Sequence, residues 1–247
     1  MTSICFDFRN VNFAHYYGLQ VKFLLKQRSK FSCQYQMPIH KIEEINSTRY
    51  LAIWHIDESI PELISWLDPA DDDRSILEGF RSDKKKYEWL AGRLCIKNLC
   101  RVMGIHYKGL TKNDNGKPFL IESTAEVSMT HSFPYVAALI DSVEEVGIDL
   151  EQPKTKLIRV APKFLSDTEA LATGTDIKKL CIYWCAKETL YKICDQHLSF
   201  KEQMMIEDFD LTTSGRFIGK VIDGQNIINS YNLEYRVEKD YILTFNV

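Results

Sequence analysis

Hydrophobic and polar positions alternate with period two in several short stretches of the chain and with a helical period in others, which divides it into elements. In "VGIDLEQP", residues 146–153, Val146, Ile148 and Leu150 point one way and Gly147, Asp149 and Glu151 the other, predicting a strand over 146–151. Strands are likewise expected at 50–57 ("YLAIWHID"), about 126–131 and 135–140, and at "RFIGKVID", "NLEYRVE" and "YILTFNV" near the end. The acids of "DPADDDRS" (68–75) suit a helix start, where the positive end of the dipole favours them. Ser82 and Asp83 then open the helix "KKKYEWLAGRLCIKNLCRVMG", with Tyr87, Leu90, Leu94 and Met103 near one face and Gly104 as its stop. Ser166, with Glu169 three residues on, has the spacing of a capping box, and a last long helix is expected from about Asp176 to Cys194. "TKNDNGKPFLIEST" (111–124) reads as a loop in which Pro118 holds Lys117 extended.

Residues 1–48 are aromatic-rich and polar; "CFDF" and "VKFLL" suggest an antiparallel meander without evident chemistry. "FRSD" (80–83) and "FLSD" (164–167) each precede a helical region, and "WLAGR" (89–93) resembles "WCAKE" (184–188). This echo suggests two halves of similar plan, so the expected organisation is an N-terminal extension over 1–48, a first half over 49–124 and a second half over 125–247.

Composition narrows the class. With 247 residues, 45% hydrophobic and 26% charged, the chain has the make-up of a globular protein, and a formal net charge of −3 argues against a general nucleic-acid surface. The longest apolar runs, such as "YVAALI", fall far short of the roughly 20 residues of a membrane helix. "MTSICFDFRN" carries Asp7 and no long apolar core, so it does not read as a secretory signal. Seven cysteines lie scattered without a CxxC pair, which points to reduced thiols in a cytoplasmic protein and no structural zinc.

Against that background a few polar residues stand out. Asp149 and Glu151 share a strand face with Cα atoms about 7 Å apart, as the wet face of an amphipathic strand or as a pair that leans toward one hard cation. On the last helix, Ile177, Leu180, Cys181, Trp184 and Tyr191 form a core-facing stripe that includes Glu188. A buried acid there needs a partner, which Lys192, four residues on, supplies unless the carboxylate is functional. Lys187 and Lys192 beside it suit phosphate, and His131, flanked by the hydroxyls of Thr130 and Ser132 at a strand end, can donate to an anion. No Walker loop, GxGxxG or GxSxG is present.

Taken in order, "GKP" (116–118), "THS" (130–132), "VGIDLE" (146–151), "FLSDTE" (164–169) and "WCAKETLYK" (184–192) resemble the motifs of the 4′-phosphopantetheinyl transferase superfamily, over about residues 50–200. The length and the echo look like the monomeric type that activates polyketide and nonribosomal peptide synthetases. The resemblance implies an α/β (α+β) fold of two similar halves related by a pseudo-twofold axis, each a small, mainly antiparallel sheet packed on a long helix. It also implies a magnesium-dependent reaction in which a serine of an apo acyl or peptidyl carrier protein attacks the β-phosphate of coenzyme A and 3′,5′-ADP leaves. Asp149, Glu151 and Glu188 match the metal ligands, and Glu188 and Lys192 match the catalytic pair. Lys187, Lys192 and His131 match the groups at the coenzyme A phosphates, Lys117 lies in the loop near the nucleotide, and Arg93 and Lys84 are the first-half candidates for the 3′-phosphate. The alternative is a coenzyme A or adenine-nucleotide binding protein without turnover.

Overall fold

The computed structural model describes residues 41–247; the expected meander over 1–40 lies outside the described residues. The chain enters as β1 (Lys41–Glu44) and turns back antiparallel into β2 (Arg49–His55), Lys41 facing Ile53. Three helices follow, α1 (Ile60–Leu67), α2 (Asp71–Gly79) and α3 (Asp83–Val102). Asp71, Asp72 and Asp73 fill the first turn of α2, as the acidic run anticipates, and α3 runs from Ser82 almost to Gly104. Short strands β3 (Leu110–Lys112) and β4 (Pro118–Leu120) flank the expected turn, where Gly116 has φ of +85°. The hairpin β5 (Glu126–Ser132) and β6 (Tyr135–Asp141) completes a six-stranded antiparallel sheet in the order β1-β2-β6-β5-β4-β3.

The second sheet begins with β7 (Ile148–Glu151). After it come α4 (Lys156–Val160), a 3-10 turn over Ala161–Lys163, α5 (Asp167–Thr173) and α6 (Ile177–Cys194). Strands β8 (Met204–Ile206), β9 (Ser214–Asp223), β10 (Asn226–Val237) and β11 (Ile242–Asn246) follow, giving the order β7-β11-β10-β9-β8. The fold is therefore α+β, with each half setting a long helix on an antiparallel sheet: α3 on β2, β5 and β6, and α6 on β7 and β11.

Two boundaries differ from the expectation. The first sheet starts at Lys41, inside the stretch assigned to the extension, and the division expected at 124 falls between β4 and β5 of one sheet. The reason is a non-local pairing: β6 lies beside β2, with Ala52 opposite Ala138, so the hairpin belongs to the earlier sheet. The sheets meet through a shared core in which Leu51, Ile53, Ala137 and Leu139 pack against Val146, Ile148, Leu150, Leu243 and Phe245. At the edge of this core Arg49, fully buried, donates from Nε to Asp141 Oδ2 at 2.7 Å and from Nη1 to the carbonyl of Asn246 at 2.8 Å. An ion pair so enclosed, bonded to both sheets, fixes one half against the other.

Candidate active site

β5 and β7 lie side by side without a backbone ladder, and side-chain hydroxyls join them. From Ser128 on, every second residue of β5 is a hydroxyl: Ser128 Oγ accepts from Ile148 N–H at 3.2 Å, and Thr130 Oγ1 accepts from Leu150 N–H at 3.3 Å. Thr130 also donates to Asp149 Oδ1 at 2.8 Å, and Ser132 donates to Glu151 Oε2 at 3.2 Å. The period of two places these hydroxyls on the face turned to β7 and His131 on the other, so Thr130 and Ser132 hold carboxylates rather than assisting His131 at an anion.

α6 crosses behind β7, and Gly147 permits it. A Cβ at 147 would lie 2.4 Å from the Thr189 carbonyl oxygen and 2.6 Å from Ile193 Cγ1. The missing side chain therefore lets α6 pack directly on β7. α6 is buried nearly all round, and the strip through Trp184, Glu188, Tyr191 and Lys192 is half-open instead of core-facing. Glu188, Tyr191 and Lys192 of that strip face a cleft of about 640 Å³, which Asp149 and Glu151 also line from the second half and Arg93, Lys117 and His131 from the first.

Within it the charges are unevenly matched. Lys192 donates from Nζ to Asp149 Oδ1 and to the Ile148 carbonyl, both at 2.8 Å. Asp149 Oδ2 is buried without a partner. Burial, with the charges of Asp149 and Glu151 added, pushes the Glu188 carboxyl up to about 7 against the opposing pull of Lys192. Burial and Asp149 likewise raise Glu151 above the usual carboxylate range. Among the described residues no group of three or more His, Cys, Asp or Glu side chains already encloses a metal position. The orphaned oxygen and the two carboxyls raised by burial and by the Asp149 charge nevertheless form a donor set of the hard-oxygen kind that magnesium takes.

The first-half candidates are only partly committed. Lys117 Nζ pairs with Glu126 at 2.9 Å, and its loop is tied across the cleft: Asn113 Nδ2 donates to Asp195 Oδ2 at 2.5 Å and Asn115 Nδ2 to the Asp195 carbonyl at 2.7 Å. Asp195 caps α6 in a left-handed conformation, so this latch holds the loop to the end of the helix that carries Glu188. Arg93 is 5% exposed, stacks its guanidinium 3.6 Å over the Trp89 ring and faces Asp73 at 3.4 Å, while its Nε has no partner. Lys84 lies outside the cleft lining, on the exposed side of α3.

Lys187 stands apart from the group assigned to the coenzyme A phosphates. It is fully buried, donating from Nζ to Glu169 Oε2 at 2.6 Å and to the carbonyls of Phe164, Phe200 and Met204 at 2.7–2.9 Å. One residue along a helix turns a side chain by about 100°, which sends Lys187 into the core of the second half while Glu188 faces the cleft. Sequence reasoning also passed over Asn113, Asn115 and Asp195; the paired asparagines of the turn were their only signal. Beside Glu151 an apolar cavity of about 530 Å³ opens between α4 and α6, walled by Leu157, Val160, Phe164, Trp184 and Phe200.

Comparison with known proteins agrees with this geometry. Residues 145–245 match the model of the 4′-phosphopantetheinyl transferase superfamily, and residues 81–141 match that of the 4′-phosphopantetheinyl transferase N-terminal domain. A search of curated proteins returned no match. The two matches meet where the first sheet gives way to the second and bracket the cleft from both sides; the chain belongs to the 4′-phosphopantetheinyl transferase superfamily.

Proposed function

We propose that this chain transfers 4′-phosphopantetheine from coenzyme A to a serine of an apo acyl or peptidyl carrier protein, with magnesium, releasing 3′,5′-ADP. The observation that carries the reading is the unpartnered, buried Asp149 Oδ2 beside Glu151 and Glu188, three carboxyls facing a cleft that Lys85, Arg93, Lys112, Lys117, His131 and Lys192 also line. Asp149, Glu151 and Glu188 would hold the ion. Magnesium, when bound, would offset the negative charge that builds on the leaving diphosphate oxygen in the transition state. Lys192 keeps Asp149 oriented from one side while Thr130 does so from the other. His131, Lys117 and Arg93 neutralise phosphate oxygens, and the Asn113 and Asn115 latch keeps the Lys117 loop over the cleft. In the transfer the serine oxygen forms a bond to the β-phosphorus, the bond to the 3′,5′-ADP oxygen breaks, and the hydroxyl proton passes to Glu188. The apolar cavity beside Glu151 fits the uncharged pantetheine arm.

The test is the intact mass of apo carrier proteins after incubation with this protein, coenzyme A and magnesium, beside a Glu188→Gln control. A gain of one phosphopantetheine with the wild type and none with the control is expected. No gain across acyl and peptidyl carriers, with coenzyme A still bound, would replace transfer by binding without turnover.

A further inference from the structure

Glu88 is an acid that lines the basic, first-half wall of the cleft, near Lys85, Arg93 and His131. It sits on α3, only 8% exposed, where an unspent negative charge would repel a diphosphate. Its Oε1 lies 3.4 Å from His131 Nδ1 and 3.7 Å from the Nζ of Lys84, one helical turn earlier. His131 stands on β5, its side chain half-exposed in the same cleft. The two imidazole nitrogens lie on opposite edges of the ring, so a carboxylate at Nδ1 leaves Nε2 as the edge free for a ligand.

We propose, resting on the coenzyme A reading above, that Glu88 is a positioning residue that turns His131 into a phosphate donor. With Nδ1 facing a carboxylate, a neutral ring keeps its proton there and presents Nε2 as an acceptor, which a phosphate oxygen repels. Nε2 donates only when both nitrogens carry protons, and Glu88 supplies the countercharge to that form once phosphate is in place. The carboxylate thus favours the ligand indirectly, through a ring it orients and polarises. Lys84 lies on the outer side of the same oxygen and moderates the charge that reaches the cleft.

The alternative is that Glu88 serves only the helix, through Lys84, and otherwise repels phosphate. The two differ in sign. Coenzyme A binding, followed by titration calorimetry of the full chain, is expected to weaken about tenfold in Glu88→Gln, the size of one charge-assisted hydrogen bond. The KM for coenzyme A should rise in step, with kcat and the carrier KM unmoved. Glu88→Asp, which keeps the charge, should recover most of the affinity, and Glu88→Gln combined with His131→Gln should bind no more weakly than His131→Gln alone. Unchanged or tighter binding in Glu88→Gln, or losses that multiply in the double variant, would overturn the inference while leaving a transferring wild type intact. A wild type that neither binds nor consumes coenzyme A would overturn the proposed function and this inference with it.

Discussion

Replacing Lys187 by methionine removes a charge that four acceptors surround and that no solvent reaches. The methionine fills much of the same space, so the loss is electrostatic. Glu169, 3% exposed, keeps the N–H groups of Ser166 and Ile206, at 2.8 and 2.9 Å, but loses its counterion. Three carbonyls lose their donor as well. Stranding one member of a buried pair costs about 3–5 kcal/mol, a large part of the roughly 5–15 kcal/mol that holds a domain folded. In urea, with a slope of about 2–3 kcal/mol per molar, the unfolding midpoint should fall by about 1–2 M. Changing Glu169 to glutamine in the same chain should recover part of the loss, since no bare charge then remains. Coenzyme A affinity, measured on the folded variant in the cold, should stay within about twofold, well inside the tenfold that 1.4 kcal/mol represents. A midpoint shift below about 0.3 M together with a tenfold loss of affinity would refute this reasoning and put the ammonium group at the ligand.

Gly147→Ala should lower the melting temperature and transferase activity together, because a Cβ 2.4 Å from the Thr189 carbonyl pushes α6 off β7; overpacking of this kind costs about 1–3 kcal/mol. Thr130→Val removes the donor to Asp149 and the acceptor for Leu150 N–H, and should cost about 1–3 kcal/mol in thermal unfolding; on the proposed reading it should also raise the magnesium concentration at which transfer is half-maximal. Partial burial disfavours the Glu43 carboxylate, but the two 2.9 Å bonds from Arg236, with help from Lys41, outweigh it and hold its pKa below 4.5. That pair's stabilisation is present above 4.5, the unfolded value, and is lost as pH falls through the lower folded one. Glu43→Gln should therefore destabilise the protein by about 1 kcal/mol at pH 7 and progressively less toward pH 3, read from urea midpoints.

The elements legible in the sequence are those whose signal is local. The alternation at 146–151 marks β7, whose Ile148 and Leu150 are fully buried along with Val146 just before it, and the Ser166 and Glu169 spacing marks a capping box, Glu169 Oε2 accepting from Ser166 N–H at 2.8 Å. Asp176 caps α6 where its start was expected. Glu188 was legible as an acid on an apolar helix, although the strip it occupies borders a cleft. What stayed hidden depends on partners far along the chain. Nothing near residue 49 announces that Arg49 will be sealed against Asp141, and nothing near 187 says that Glu169 will lie across the core from it. The pairing of β6 with β2 joins residues nearly ninety apart, so a boundary drawn from local turns missed it. The same holds for Gly147, whose purpose depends on a helix forty residues later.

β7 is the terminal strand of its sheet, and on its outer side it meets side chains of β5 where a neighbouring strand would stand. Removed from the first half, Ile148 and Leu150 would present bare N–H groups along a flat apolar edge, the kind of surface that recruits strands from other molecules. A fragment beginning near residue 145 is therefore expected to form aggregates when expressed alone. The same fragment co-expressed with residues 1–144 should remain dispersed, the earlier part of the chain acting as a built-in chaperone for the later one.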